Sequence, residues 1–279
     1  MKIEGRAKIN LALSVEGLLE NGYHRVKMIM QEIALCDEIS LEFGKSGVNL
    51  SCNVSQIPTD SRNIAYRAAE LFYAVTGIDD GVNIHIEKVI PSEAGLGGGS
   101  ADGAAVLKGM NEHYGNPIPY GELISLGAKI GADVSFCIMG GTALAEGIGE
   151  VLTPIDSKVK ADILIVKPDV GISTPWAYKR LDEVGCTPCD VDSVVSALEK
   201  GDTKELCRSM ANTFEIVVPE VAPEIDAIKS KLIGYGALGA MMSGSGTAVF
   251  GIFDDADTLE RACEDFRDNY PYVFKSKML

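Results

Sequence analysis

The sequence predicts an α+β fold in two domains, residues 1–156 and 157–279. Three observations predict it. The 279 residues suit two domains at about 100–200 residues each. Short runs of period-two alternation are interspersed with stretches of helical period. A polar, proline-containing stretch, residues 151–160 (VLTPIDSKVK), falls between two such sets and marks the boundary.

From Ala7 to Val15 the apolar residues Ala7, Ile9, Leu11, Leu13 and Val15 take the odd positions, the period of a strand. Lys8, Asn10 and Ser14 share its other face. After the turn pair Asn21-Gly22, residues 23–31 and 38–43 read as two further strands. Asp60 or Ser61 caps a helix with the apolar stripe Ile64, Ala68, Leu71, Phe72 and Val75. Val82, Ile84 and Ile86 alternate as a strand that ends near Pro91. A glycine cluster follows, then helices over 100–114 and 119–130, and Gly131-Ala132-Asp133 leads into a strand over 134–139. In the second half 161–166 reads as a buried strand, and Pro175 stands at a helix start after Ser173-Thr174. Helices near 191–200, 203–213 and 223–233 precede strands around 237–242 and 247–253, and a last helix spans 255–268.

With 46% hydrophobic and 23% charged residues, the chain has the balance of a globular protein. Its 25 Lys+Arg against 40 Asp+Glu give a net charge of −15. That charge speaks against a nucleic-acid partner, which needs a basic footprint. An anionic ligand must instead be held by local groups: backbone N–H donors, helix N-termini and a few placed lysines. Seven cysteines, an odd number, argue against a disulfide scaffold and for a reducing compartment. Cys186-Thr-Pro-Cys189 stands alone, without a second pair or a nearby histidine, and reads as structural. The first residues lead straight into a patterned strand, so no secretory signal is expected. Nor does any apolar run approach about 18–20 residues, so no membrane partner is expected either. The expected location is cytoplasmic.

Chemistry concentrates in Pro91 to Asp102 (PSEAGLGGGSAD), where four glycines fall within five residues between a strand and a helix. Such a backbone approaches a ligand without Cβ interference. The first-turn N–H groups of the following helix have no intrahelical partners and sit at the positive end of its dipole. A di- or triphosphate is the natural occupant. A flexible linker would not run directly into a helix. No Rossmann G-x-G-x-x-G fits: Gly95-x-Gly97 puts Ser100 at the third position, and Gly97-x-Gly99 puts Asp102 there. Gly44-Lys45-Ser46 has a Walker-type tail, but Ile39 occupies the required first glycine, so this segment reads as a surface turn.

The stretch Pro91 to Ala101 resembles the P-x-x-x-G-L-G-S/G-S/G-S-A phosphate loop of the GHMP kinases. Lys8-Ile-Asn10-Leu resembles that family's first motif, and Met242-Ser-Gly-Ser-Gly246-Thr-Ala its third, in the same order over about 240 residues. Asn21-Gly22-Tyr23-His24, Gly131-Ala132-Asp133-Val134, and the run from Gly140-Gly141-Thr142-Ala143 to Glu150 are similar to a member acting on a small alcohol that carries a cytidine diphosphate group. Gly5-Arg6 and Leu19-Glu20-Asn21 depart from the usual pattern of that member. The resemblance implies a two-domain GHMP-kinase-like fold with the active site in the interdomain cleft, ATP and Mg²⁺ as cofactors, and a monomer or weak homodimer.

It also implies roles for particular residues. Lys8 and Asp133 are the catalytic candidates: Lys8 beside the transferring phosphoryl group, Asp133 accepting the hydroxyl proton or orienting the hydroxyl. Pro91, Gly95, Leu96, Gly97, Gly98, Gly99, Ser100 and Ala101 would wrap the nucleotide phosphates, with Ser243 and Gly244 of the third motif nearby. Ser100 is the candidate hydroxyl ligand for Mg²⁺. Asn63 resembles a position near the adenine, and Thr174 one near the substrate. Asn10 shares the face of Lys8 and can hydrogen-bond substrate. Tyr23 and His24 offer an aromatic plane and a donor/acceptor suited to a cytosine ring; for an isolated Tyr-His pair, hairpin packing is the competing reading. His85, His113 and Trp176 receive no role. The competing functions are a kinase for another small alcohol, of homoserine or mevalonate type, and a non-catalytic nucleotide-binding module.

Overall fold

The computed structural model describes residues 1–20 and 22–279; Asn21, the first residue of the expected turn pair, lies outside them. The α+β expectation holds. The chain folds as two compact units that exchange segments along the sequence. One holds Met1–Ala7, Cys36–Ile90 and Gly97–Gly140; the other holds Lys8–Leu35, Pro91–Leu96 and Gly141–Leu279.

Two long strands contribute to both units: β1, Lys2–Leu18, and β2, His24–Phe43. The two separate strands expected at 23–31 and 38–43 are one. Alternation continues through the gap, where Ile33, Leu35 and Asp37 all turn inward. An aspartate at an inward position breaks a hydrophobic pattern, and only its partners explain it.

In the first unit β3 (Val48–Cys52) pairs in parallel with the strand that follows helix α1 (Ile64–Thr76). That strand, β4 (Val82–Glu87), runs antiparallel to β2 from Glu38↔Glu87 to Phe43↔Val82. The cap of α1 is Asn63, not the expected Asp60 or Ser61: its Oδ1 accepts from Ala65 N at 2.8 Å. Helix α2 (Gly98–His113) is buried along most of its length, including Ala101 to Leu107. Gly103 lets α1 approach it, since a Cβ there would lie 2.6 Å from Ile64 Cγ2. Phe72 of α1 is fully buried, a contribution of about 1.5–3 kcal/mol. Helices α3 (Tyr120–Ala128) and α4 (Ala132–Met139) complete the unit.

Helix α4 corrects the strand expected over 134–139. The run VSFCIM has no period of its own, so packing decides. Gly127 of α3 admits it: a Cβ there would meet Ile138 Cδ1 at 2.6 Å.

Three charges are buried in this unit. Lys88 Nζ donates to Asp37 Oδ2 at 2.5 Å and to Asp102 Oδ2 at 2.8 Å. Asp37 Oδ1 accepts the N–H groups of Val89 and Ile90, fixing the chain as it leaves β4. Burial opposes the Lys88 charge, but Asp102 and Asp37 outweigh it and its pKa is raised. Asp102 is pushed up to about 7 by burial, with Asp37 adding to the effect and Lys88 opposing it. Its Oδ1 is buried without a partner.

The second unit adds β5 (Thr142–Glu146) to the middle of β2 at Met28↔Ala145, followed by β6 (Val151–Pro154). Residues 155–161 have no regular structure. A second sheet is built on β7 (Asp162–Lys167), where all but the first residue are buried. Helices α5 (Thr174–Val184), α6 (Val191–Lys200) and α7 (Thr203–Ser209) follow. Asp190 and Asp202 cap the last two by accepting N–H groups three residues on. The helix expected to reach 213 stops at Ser209, because β8 (Ala211–Asn212) joins β1 in parallel at Ala12↔Ala211. Two 3-10 turns lead to α8 (Glu224–Gly234), β9 (Gly239–Met242), β10 (Val249–Phe253) and α9 (Ala256–Arg267). A final strand not expected from the sequence, β11 (Tyr272–Lys277), gives the sheet order β11-β7-β10-β9. The seven-stranded sheet has the path β3-β4-β2-β1-β8, with β5 and β6 off β2. Among the described residues no helix is long and apolar enough to cross a membrane.

Candidate active site

In the second unit the fold brings three distant motifs together. Lys8 N donates to Leu96 O at 3.0 Å, joining the first strand to the glycine loop. Ala248 N donates to Ala94 O, and Thr247 N to Glu93 O, joining the loop to the third motif. Ser243 Oγ closes the triangle: it donates to Gly95 O at 3.0 Å and accepts from Asn10 N at 3.3 Å. This packing demands glycine at 95. Its φ is +73°, and a Cβ would lie 1.9 Å from Ser243 O. Gly244, across from it, would put a Cβ 3.1 Å from Gly95 Cα.

Lys8 is 4% exposed and its Nζ donates to Asn10 Oδ1 at 2.7 Å, so the two residues expected to share a polar face are hydrogen-bonded on it. Asn10 Nδ2 in turn points at Met28 Sδ, 3.4 Å away. The polar face of β1 is therefore buried like its apolar one. A buried ammonium needs an anionic or polar partner, and Asn10 supplies one.

The first unit holds the other part of the loop. Gly97, at φ +69°, caps α2 without any side-chain hydrogen bond to the first turn. The N–H groups at this end of α2 are therefore not taken by a side-chain cap, the condition for binding an anion. Gly98 rests on Ile90 and Lys88: a Cβ would lie 2.9 Å from both Ile90 Cγ2 and Lys88 Nζ. Ser100 is half-buried in the first turn, with Ala101 buried behind it. Pro91, where the chain enters the part of the loop held by the second unit, is half-buried. Asn63 sits at the start of the helix whose Ile64 packs on Gly99 and Gly103. Its Nδ2 donates to Pro58 O at 2.8 Å, so both ends of its side chain hold local backbone.

Asp133 lies in the first turn of α4, not at the mouth of a strand, and is half-buried. The change of element alters the physics. A carboxylate in a first helical turn interacts favourably with the dipole, and a helix end is a firmer platform than a loop.

Thr174 opens α5, and its Oγ1 lies 2.7 Å from Ser245 Oγ of the third motif. Further along the same helix Tyr178 stacks on His24, ring centroids 4.4 Å apart and planes at 18°, and Asp182 Oδ1 is 2.8 Å from His24 Nε2. Tyr23 is 61% exposed. His113 stacks on Phe43, with centroids 3.6 Å apart, as part of the first unit's packing.

Sequence reasoning missed Tyr178, Asp182 and Asn212. Asn212 Nδ2 donates to both Met242 O and Gly244 O at 2.8 Å and so shapes the third loop. The first two had a signal: with Thr174 they stand four residues apart, on one helical face. Asn212 had none, because its partners are about 30 residues away. In the Cys186/Cys189 pair, Cys189 Sγ meets Leu13 O at 3.3 Å, and burial pushes the Cys186 thiol up. Among the described residues no group of three or more His, Cys, Asp or Glu could hold a metal.

The GHMP kinases N terminal domain matches residues 63–141, and the GHMP kinases C terminal domain matches 194–271. A 4-diphosphocytidyl-2-C-methyl-D-erythritol kinase of Clostridium acetobutylicum is 44% identical over 275 residues, covering 98% of both chains. One of Acetivibrio thermocellus is 46% identical over 257 residues, covering 91% of this chain and 90% of its own. The crystal structure of a 4-(cytidine 5'-diphospho)-2C-methyl-D-erythritol kinase superposes with a TM-score of 0.85 at 31% identity, covering 100% of this chain and 99% of that one. A glycine loop tied by backbone bonds to a buried lysine strand, and relatives matched almost end to end, place this chain in the 4-diphosphocytidyl-2-C-methyl-D-erythritol kinase family of the GHMP kinases.

Proposed function

We propose that the chain transfers the terminal phosphoryl group of ATP to the 2-hydroxyl of 4-diphosphocytidyl-2-C-methyl-D-erythritol, a step of the non-mevalonate isoprenoid route. The observation that carries the assignment of roles is the hydrogen-bonded join of Lys8, the glycine loop and Ser243. It supports a lysine next to bound phosphate.

Phosphoryl transfer asks mainly for positioning and for cancellation of charge. The N–H groups at the start of α2, with Gly97, Gly98 and Gly99 leaving room, hold the phosphates. Lys8 neutralises charge that develops on the transferring group. Asp133 holds the acceptor hydroxyl and either takes its proton or orients it. Asn10 keeps the Lys8 ammonium in place and faces the acceptor, with Thr174 beside Ser245. Tyr23 and His24 read the cytosine. Asn63 sets the start of α1 next to the loop on the adenine side. Ser100 would hold Mg²⁺ through its hydroxyl; a hydroxyl without a carboxylate cage fits an ion that keeps waters and binds mainly through phosphate oxygens, where it screens their charge. Every residue assigned comes from one chain, so a monomer or weak homodimer working in the cytoplasm suffices.

A coupled ADP-release assay with a panel of alcohol acceptors tests this. Turnover is expected with the cytidine diphosphate acceptor and not with homoserine or mevalonate. Lys8→Ala and Asp133→Asn are each expected to lose about 10²–10⁴-fold in kcat. Full activity in Asp133→Asn would remove its role, and nucleotide binding without turnover on any acceptor would favour a non-catalytic module.

A further inference from the structure

Helix α5 presents Thr174, Tyr178 and Asp182 on one face, and the last two converge on a single imidazole. His24 is held flat against Tyr178, which is itself braced edge-on by Phe214 at 4.9 Å and 80°. The His24 side chain is 11% exposed, so its ring has little freedom to turn. Asp182 Oδ1 stands 2.8 Å from Nε2. An ionised carboxylate only accepts, so Nε2 must carry the hydrogen of that bond. In a neutral imidazole the other nitrogen, Nδ1, is then a bare acceptor whose direction the stack fixes. Cytosine presents an amino group, a donor, at the ring position where uracil presents a carbonyl oxygen, an acceptor.

We propose that Asp182 is a specificity-determining positioning residue: by holding His24 in the Nε2–H tautomer it leaves Nδ1 to accept from the exocyclic amine of a cytosine ring and to repel the carbonyl of uracil. The inference rests on the reading that His24 meets the base. It adds the cause of the base preference, a carboxylate that does not touch the substrate.

The first measurement is the ¹⁵N spectrum of the His24 imidazole in the full chain at pH 8. Nε2 is expected to carry the hydrogen and Nδ1 to be bare, and Asp182→Ala is expected to mix the tautomers. The second is kcat/KM for the cytidine diphosphate acceptor against its uridine counterpart. The wild type is expected to prefer cytidine by about 10²-fold. Asp182→Ala should cut that ratio about tenfold through a raised acceptor KM rather than through kcat. Asp182→Asn, whose amide oxygen still accepts from Nε2, should restore most of it. A simple structural role would move neither the tautomer nor the base ratio. Hydrogen on Nδ1 in the wild type, or an undiminished ratio in Asp182→Ala, overturns the proposal and leaves base reading by His24 standing. Equal use of both bases by the wild type overturns the base reading and this inference with it.

Discussion

Gly95 and Gly99 belong to one loop but are glycine for different reasons. At Gly95 a side chain would have to pass through the Ser243 carbonyl, 1.9 Å from the Cβ position, at a φ of +73°. At Gly99 the nearest atom, Ile64 Cδ1, is 3.6 Å away and the residue is exposed. Gly95→Ala is therefore expected to destabilise the chain by at least about 1–3 kcal/mol from backbone strain alone and to weaken nucleotide binding. Gly99→Ala should leave stability within about 0.5 kcal/mol. Urea unfolding of both variants, with nucleotide titration of Gly95→Ala, checks the contrast; equal stabilities would show that the join of Gly95 to Ser243 is not required.

At the scale of elements, the start of α2 rests on a buried ion cluster. Asp102 of α2, Asp37 of β2 and Lys88 beyond β4 tie three segments together, and Gly98 sits on the Lys88 head. This arrangement makes stability depend on pH. An ordinary aspartate titrates near 3.8, whereas Asp102 in the folded chain titrates near 7. Between those values the folded state keeps a proton that the unfolded chain has released. The contribution of Asp102 to stability is thus full below about pH 4 and is lost as pH rises towards about 7. Unfolding free energies at pH 5 and pH 8 should show the wild type losing ground relative to Asp102→Asn at the higher pH. Parallel profiles would mean that Asp102 is ionised throughout. Helix α4 makes the same point about context: six residues without a period became a helix because α3 offered a glycine for Ile138 to pack on.

On the scale of the whole molecule, a chain of net charge −15 has to attract a nucleotide and a diphosphate substrate. The long-range field opposes both, and in the proposed function the N–H groups at the start of α2 and Lys8 act in their favour. Salt screens the first effect more than the second, since buried or contacting charges are screened least. At fixed free Mg²⁺, kcat/KM for ATP is expected to rise as ionic strength increases from about 10 mM to about 150 mM. A steep fall instead would mean that a positive field steers the nucleotide.

The glycine loop, the strand carrying Lys8 and Asn10, and the helix start at Thr174 could be read directly from the chain. Each depends on neighbours in sequence: period-two alternation, clustered small residues, a proline at a first turn. Resemblance then supplied the link between them, which no spacing rule contains. The inward Asp37, the helix at Asp133, the cap at Asn63 and the cluster of Tyr178 and Asp182 on His24 were settled by folding. A buried charge is tolerable only once its counter-charge arrives, and an apolar run takes the conformation of whatever it packs on. For Asp37 and His24 those partners lie 51 and 158 residues away, so their meeting is a property of packing that no local pattern encodes.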